Sequence, residues 1–175
     1  MLSTKTTAIF IAAFSAAVIA SAWGFQVIGG YEPCGLCLQQ RLPYYYGVPV
    51  AALAVLAASV AGWRRFVRPL LFLTAGIFAI SLFLAARHAG VEWDLWDGPP
   101  CPSAGFTGIE GGKSLLDVIQ NAKIGFCDEP PVRFLTLSFA GWNAIASLIL
   151  MAAALYGALR GYALMGAGKT ISPNS

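Results

Sequence analysis

The sequence predicts an all-α membrane protein, a four-transmembrane-helix bundle with a short amphipathic interfacial helix in its second outer loop. Three observations lead there. The 175-residue chain is 58% apolar and 11% charged, more apolar than a soluble globular domain and with about half its charge, and its mean hydropathy is +0.70. It offers four apolar runs close to the ~20 residues that a helix needs to cross a hydrocarbon core about 30 Å thick. Its charges are also sorted by segment. Net charge is only +3, and the basic residues stand singly apart from the stretch Trp63 to Arg68, so nucleic-acid binding has no footprint.

The first helix is expected over about 8–28, where the chain carries no charge and ends near Trp23 and Phe25. A cleaved signal peptide competes for this segment, because Lys5 precedes it and Ala20-Ser21-Ala22 has the small-x-small form of a cleavage site. The apolar run nevertheless continues past that site through Val27 and Ile28. Gly29, Gly30 and Pro33 break it. The second helix is expected over about 35–62, with Tyr44, Tyr45 and Tyr46 suited to the interfacial belt and Ala54, Ala58 and Gly62 forming a small-residue stripe, either for close helix approach or as an alanine-rich face toward lipid.

Arg64, Arg65 and Arg68 crowd the short connection to a third helix at about 69–89. A polar segment of about 90–134 follows, with Trp93, Trp96 and the turn Gly98-Pro99-Pro100-Cys101-Pro102. Within it, Leu115, Leu116, Ile119 and Ala122 fall at helical spacing opposite Lys113, Asp117, Gln120 and Asn121. That pattern fits a helix lying on the membrane surface. The fourth helix is expected over about 135–159, with Asn143 as a polar group inside it, and the chain ends in a polar tail. Residues 1–175 thus read as one transmembrane domain.

Sidedness follows from the charges. Lys5, Arg64, Arg65, Arg68, Arg160 and Lys169 fall on one side, whereas Glu32 and the acids from Glu92 to Glu129 fall on the other. The arginine side is cytoplasmic by the positive-inside rule. Both termini are then inside, and the loops of about 29–42 and 90–134 face out.

All four cysteines lie in those outer loops: Cys34 and Cys37 in the first, Cys101 and Cys127 in the second. An even number on an oxidising face favours two disulfides over four thiols. A bond between Cys34 and Cys37 closes too small a loop to constrain the unfolded chain much. At positions i and i+3 beside Pro33, near a helix start whose free N–H groups favour a thiolate, the pair instead suits redox exchange. A structural bridge is the plainer alternative. Arg41 returns to the same helix face one turn deeper, where its charge can stabilise a Cys37 thiolate or an anionic ligand, or else snorkel to the interface. No histidine follows Cys37, and His88 is the only histidine, which removes c-type and bis-histidine haem. A four-cysteine zinc site is the remaining rival, but Cys101 and Cys127 lack the close spacing of ribbon-type ligands, and no metal is expected.

The joint pattern of Pro33-Cys34-x-x-Cys37 with Arg41, the loop pair Cys101 and Cys127, and a fourth helix entered through Gly141-Trp142-Asn143 resembles the disulfide bond formation protein B (DsbB) family of bacterial inner-membrane thiol:quinone oxidoreductases. The resemblance covers essentially the whole chain. It implies that a Cys101–Cys127 disulfide oxidises a periplasmic DsbA-like thiol oxidase, with Cys101 forming the mixed disulfide. Electrons would then pass to Cys34 and Cys37, with Cys34 exchanging with the loop pair and Cys37 engaging a membrane quinone, ubiquinone or menaquinone. Arg41 and His88 match residues beside the quinone head group. One departure is Gln40, where the family often has an acid just before the arginine. Two other readings use the same residues: a related quinone-coupled thiol oxidase with one dedicated partner, and a non-enzymatic membrane protein with structural disulfides.

Overall fold

A computed structural model describes residues 3–31, 33–97 and 133–169, with side chains through residue 160. Four long helices dominate: α1 (Thr4–Val27), α2 (Gly35–Ser59), α3 (Val67–Glu92) and α4 (Phe139–Lys169). Each contains a stretch long and apolar enough to cross a membrane, so the protein is a multi-pass membrane protein of the expected fold class. Large side chains such as Leu56, Ile80 and Phe83 are exposed on the outside, as helices that are apolar on every face require when lipid is the solvent.

The interior is built from smaller residues. Ala8, Ile11, Ala51, Ala54, Leu71, Phe78, Leu150, Ala154 and Ala158 form its buried centre, with α3 lying against α2 and α4, and α1 against α2 and α4. Lipid tails are as apolar as leucine, so helix association rests on close packing rather than on escape from water. Gly47 shows how close: a Cβ there would stand 2.9 Å from the ring of Phe78. The small-residue stripe therefore runs through Gly47, Ala51, Ala54 and Ala57. Gly62 is not part of it, because α2 ends at Ser59 and the chain passes into a 3-10 turn, Ala61–Phe66, where Gly62 is exposed. α2 itself continues unbroken through Pro43 and Pro49.

Other helix limits also differ from the sequence expectation, α3 running over Val67–Glu92 rather than about 69–89. α1 begins at Thr4 rather than near residue 8 because the Ser3 side chain caps it, accepting from the Thr6 N–H at 3.1 Å; this is the usual work of a serine at that position. α4 begins at Phe139 rather than near residue 135. The preceding residues form a small hairpin, β1 (Arg133–Phe134) antiparallel to β2 (Leu137–Ser138), whose two turn residues Leu135 and Thr136 both have positive φ, the geometry of a tight two-residue hairpin. The Ser138 hydroxyl then accepts from the Gly141 N–H at 3.1 Å, and the Trp142 indole donates to the Phe134 carbonyl at 3.0 Å. At the far end the α4 backbone stays helical to Lys169, past the expected stop at 159, since no proline interrupts it before Pro173. The expected interfacial helix and its flanking residues Cys101 and Cys127 lie outside the described residues.

Candidate redox site

The first turn of α2 is assembled by the break before it. α1 closes with Gly30 at φ +67°, a left-handed residue of the kind that ends helices and favours glycine. The chain then turns through Pro33 into Cys34, which is the N-cap of α2. Its sulfur takes the place that a serine or aspartate oxygen commonly holds and accepts from the Cys37 backbone N–H at 3.2 Å. Cys37, one turn on, brings its Sγ to 2.9 Å from Cys34 Sγ. Both are free thiols, Cys34 buried and Cys37 half-buried.

The third group at this point comes from α3. His88, only 3% exposed, places Nε2 3.8 Å from Cys34 Sγ and 3.7 Å from Glu92 Oε1. Cys34 is thus the sulfur addressed by a backbone N–H, by the imidazole and by the neighbouring thiol together. For that reason we place the proton shared by the pair on Cys37. The Cys37 thiol, the His88 ring and the Cys37 N–H hold Cys34 well below the ordinary thiol range, against the opposing effect of burial.

His88 is held from behind. Tyr44 donates to Asn143 Oδ1 at 2.7 Å, Asn143 Nδ2 donates to Gln40 Oε1 at 2.7 Å, and Gln40 Nε2 donates to His88 Nδ1. In the neutral ring the proton then sits on Nε2, aimed at Cys34 and Glu92. The chain continues at its other end through the Tyr44 and Ser147 hydroxyls, 3.3 Å apart, to Ser81 at 2.8 Å. Residues from α2, α3 and α4 meet in it, and each polar group finds a partner where no water would supply one.

Arg41 reaches the other way. It donates to Gln26 Oε1 and to the Ala22 carbonyl at 3.3 Å, and its guanidinium stands 5.5 Å from the centre of the Trp23 ring, tying α2 to the end of α1. Cys34, Cys37, Gln40, Arg41 and His88 all line one cavity of about 560 Å³, whose other walls are largely apolar and aromatic, including Phe14, Val18, Phe25 and Phe139. A polar, sulfur-bearing end and a greasy remainder are the features of a pocket for an amphipathic ligand.

Residues 4–157 match the family described as Disulfide bond formation protein DsbB. The chain belongs to the DsbB family. Two proteins named Disulfide bond formation protein B are among its relatives. One, from Saccharophagus degradans, is 29% identical over 160 residues, which is 90% of this chain and 95% of that protein. The other, from Marinobacter nauticus, is 30% identical over 149 residues, 84% of this chain and 87% of that protein. No solved structure gives a significant match. Membership of the DsbB family gives the chain an oxidoreductase role in disulfide bond formation.

Of the residues singled out from sequence, Cys34, Cys37, Arg41 and His88 come together around the cavity, while Cys101 and Cys127 lie outside the described residues. Tyr44, Gln40 and Glu92 are among the participants that escaped sequence reasoning. Tyr44 reads as a belt tyrosine, yet it is 2% exposed, whereas Tyr46 is 67% exposed; the 100° step between helix residues turns Tyr44 inward. Gln40 reads as a departure from a family pattern, and Glu92 as one of the outer-side acids. The signal available for all three was helical phase: Gln40 and Tyr44 lie three and seven positions after Cys37, and Glu92 lies four after His88.

Proposed function

We propose that this protein is a protein-dithiol:quinone oxidoreductase of the bacterial inner membrane, with both termini cytoplasmic, that re-oxidises a periplasmic DsbA-like thiol oxidase. A Cys101–Cys127 disulfide accepts two electrons and two protons from the partner's dithiol, and the Cys34–Cys37 pair, as a disulfide, takes them in turn by thiol–disulfide exchange. A membrane quinone, ubiquinone or menaquinone, is the two-electron acceptor that the reduced pair requires when the cycle closes. The observation that carries this reading is the placement of the dithiol on the wall of a mostly apolar cavity among membrane-spanning helices, with Arg41 and His88 also lining that cavity.

The residues present fit such a head group. Arg41 is an N–H donor at the polar end of the cavity, where it would hold a carbonyl oxygen, His88 lines the same cavity, and the aromatic walls match an isoprenoid chain. The chain's own contributions are then definable. Cys34, the N-capping sulfur, is the better leaving and attacking thiolate, as exchange through mixed disulfides requires. Cys37 holds the proton shared by the pair and is the more accessible sulfur. Arg41 presents fixed positive charge that needs no rearrangement as negative charge develops near it. The Gln40–Asn143–Tyr44 chain keeps the imidazole facing the sulfurs, and the burial of Cys34 keeps competing water away from the thiolate.

The test is turnover by the purified protein in lipid nanodiscs containing ubiquinone, with a reduced thioredoxin-fold partner and quinone absorbance as the signal. Cys37→Ser should abolish turnover. Arg41→Ala should weaken quinone binding roughly 10- to 100-fold, the value of one charge-assisted hydrogen bond of about 1.5–3 kcal/mol. Wild type and both variants behaving alike would overturn the assignment.

A further inference from the structure

We propose that the reduced Cys34–Cys37 pair, together with His88 and Glu92, is a binding site for a thiophilic divalent cation, zinc, which captures the pair in its reduced form. Cys34 Sγ, Cys37 Sγ and His88 Nε2 all lie within 4.8 Å of one another. Zinc binds sulfur at about 2.3 Å and imidazole nitrogen at about 2.0–2.1 Å in tetrahedral geometry, so a bound ion sets sulfur and nitrogen roughly 3.6 Å apart and the two sulfurs roughly 3.7 Å apart. The Cys34–His88 separation of 3.8 Å already meets this. The sulfurs, at 2.9 Å, need to part by somewhat under 1 Å, which a small rotation of the half-buried Cys37 supplies.

A separate observation points to the fourth donor. Glu92 Oε1 lies 3.7 Å from His88 Nε2, and its side chain is only 4% exposed; Ser138 and Arg133 also act on this carboxylate, but among the described residues Glu92 Oε2 is buried without a hydrogen-bond partner of its own. A buried carboxylate oxygen beside an imidazole that faces two thiols is available as a fourth donor to a cation. Two sulfurs, one imidazole and one carboxylate are a donor set suited to zinc rather than to magnesium or calcium.

The hydrogen-bond chain behind His88 accommodates the change. A metal on Nε2 requires the ring proton on Nδ1. Turning over the Gln40 and Asn143 amides lets Nδ1–H donate to Gln40 Oε1, Gln40 Nε2 to Asn143 Oδ1, and Asn143 Nδ2 to the Tyr44 hydroxyl, which then donates to Ser147. No polar group loses its partner, and the metal-bound histidine gains the outer support that such ligands require. Binding exchanges the remaining thiol proton for the ion and moves no electrons. A Cys34–Cys37 disulfide has no thiolate to offer, so the site exists in one redox state alone. Binding does not depend on the function proposed above; the consequence that zinc arrests turnover does.

The experiment uses the full-length Cys101→Ser/Cys127→Ser protein in detergent micelles, reduced with a phosphine, and titrated anaerobically with Co²⁺ and then Zn²⁺. The expected result is one Co²⁺ per chain with a near-ultraviolet thiolate charge-transfer band and the strong visible bands of four-coordinate cobalt, both displaced by zinc. The same protein as its Cys34–Cys37 disulfide should show neither, a control that needs no further substitution. Glu92→Gln should weaken binding, and Gln40→Leu should lower zinc affinity about 10- to 100-fold. Absence of the thiolate band from the reduced protein, or its persistence in the disulfide form, would overturn the proposal. Loss of turnover in wild type on adding zinc, restored by a chelator, tests the consequence separately.

Discussion

The electrostatics of Cys34 can be tested by removing one of its donors. In the reduced Cys101→Ser/Cys127→Ser background, His88→Ala deletes the imidazole that stands 3.8 Å from Cys34 Sγ and leaves the other donors, the Cys37 thiol and backbone N–H, in place. A hydrogen bond to a charged acceptor contributes about 1.5–3 kcal/mol, and at this length the lower end applies. With about 1.36 kcal/mol per pKa unit, the Cys34 thiol should titrate about one unit higher than in the parent. The assay is the rate of iodoacetamide alkylation at Cys34 against pH, read by mass spectrometry. Its inflection should move up by about one unit, and below both inflections the rate should fall about tenfold. The sign for stability is also fixed. A thiol held below its unfolded pKa stabilises the fold at pH above the unfolded value, near 8.5 for a free thiol, and that contribution is lost as pH falls through the depressed value. Thermal unfolding of the reduced protein should therefore show a smaller gain between acid and alkaline pH in His88→Ala. An inflection that stays put or moves down would refute the claim that His88 donates to this sulfur.

Three further outcomes follow from the packing. Gln40→Leu strands His88 Nδ1 and Asn143 Nδ2 and should lower stability by about 1–3 kcal/mol, taking about 0.6–1.7 kcal/mol for each interhelical bond; denaturation of the purified protein in mixed micelles measures it. Tyr44→Phe removes the hydroxyl that joins Asn143 and Ser147 and should cost about 0.6–1.7 kcal/mol in the same assay. Gly90→Ala would drive a Cβ into the Trp96 ring, breaking the indole's bond to the Arg87 carbonyl. It should destabilise by about 1–3 kcal/mol despite the helix preference for alanine, with a tryptophan emission change that Gly76→Ala, which meets open space, should not produce.

Hydropathy made the bundle legible, because a helix in lipid must be apolar over its whole length and the four runs announce themselves. The ends were less legible. Ser3 as a cap and the hairpin before Phe139 depend on local side-chain bonds that carry little hydropathy signal, and the positive φ of Leu135 and Thr136 falls on residues that do not advertise a turn. Cys34, Cys37 and Arg41 could be named from residue type and spacing, and His88 from the resemblance to the family. Their support could not: Tyr44, Gln40, Asn143 and Ser147 become one chain only when α2 and α4 are laid side by side, a pairing more than a hundred residues apart for Tyr44 and Ser147. Glu92 likewise acquires meaning only through its one-turn distance from an imidazole that itself faces a thiol.

The support chain also explains how a neutral glutamine serves at a position where an acid would bring a second charge. An acid at residue 40 would face His88 and stand on the same buried wall as Glu92 and a sulfur held as thiolate, stacking negative charge where burial already opposes it. An amide offers a donor to one neighbour and an acceptor to the other, and it can exchange them by turning over. Because the chain ends in the hydroxyls of Tyr44, Ser147 and Ser81, which accept or donate equally well, either direction leaves every member partnered. His88 can therefore carry its proton on the nitrogen facing the sulfurs or on the one facing Gln40 without exposing an unsatisfied group. That freedom suits a dithiol that, in the function proposed above, alternates between protonated, thiolate and disulfide forms beside a fixed neighbour inside a membrane.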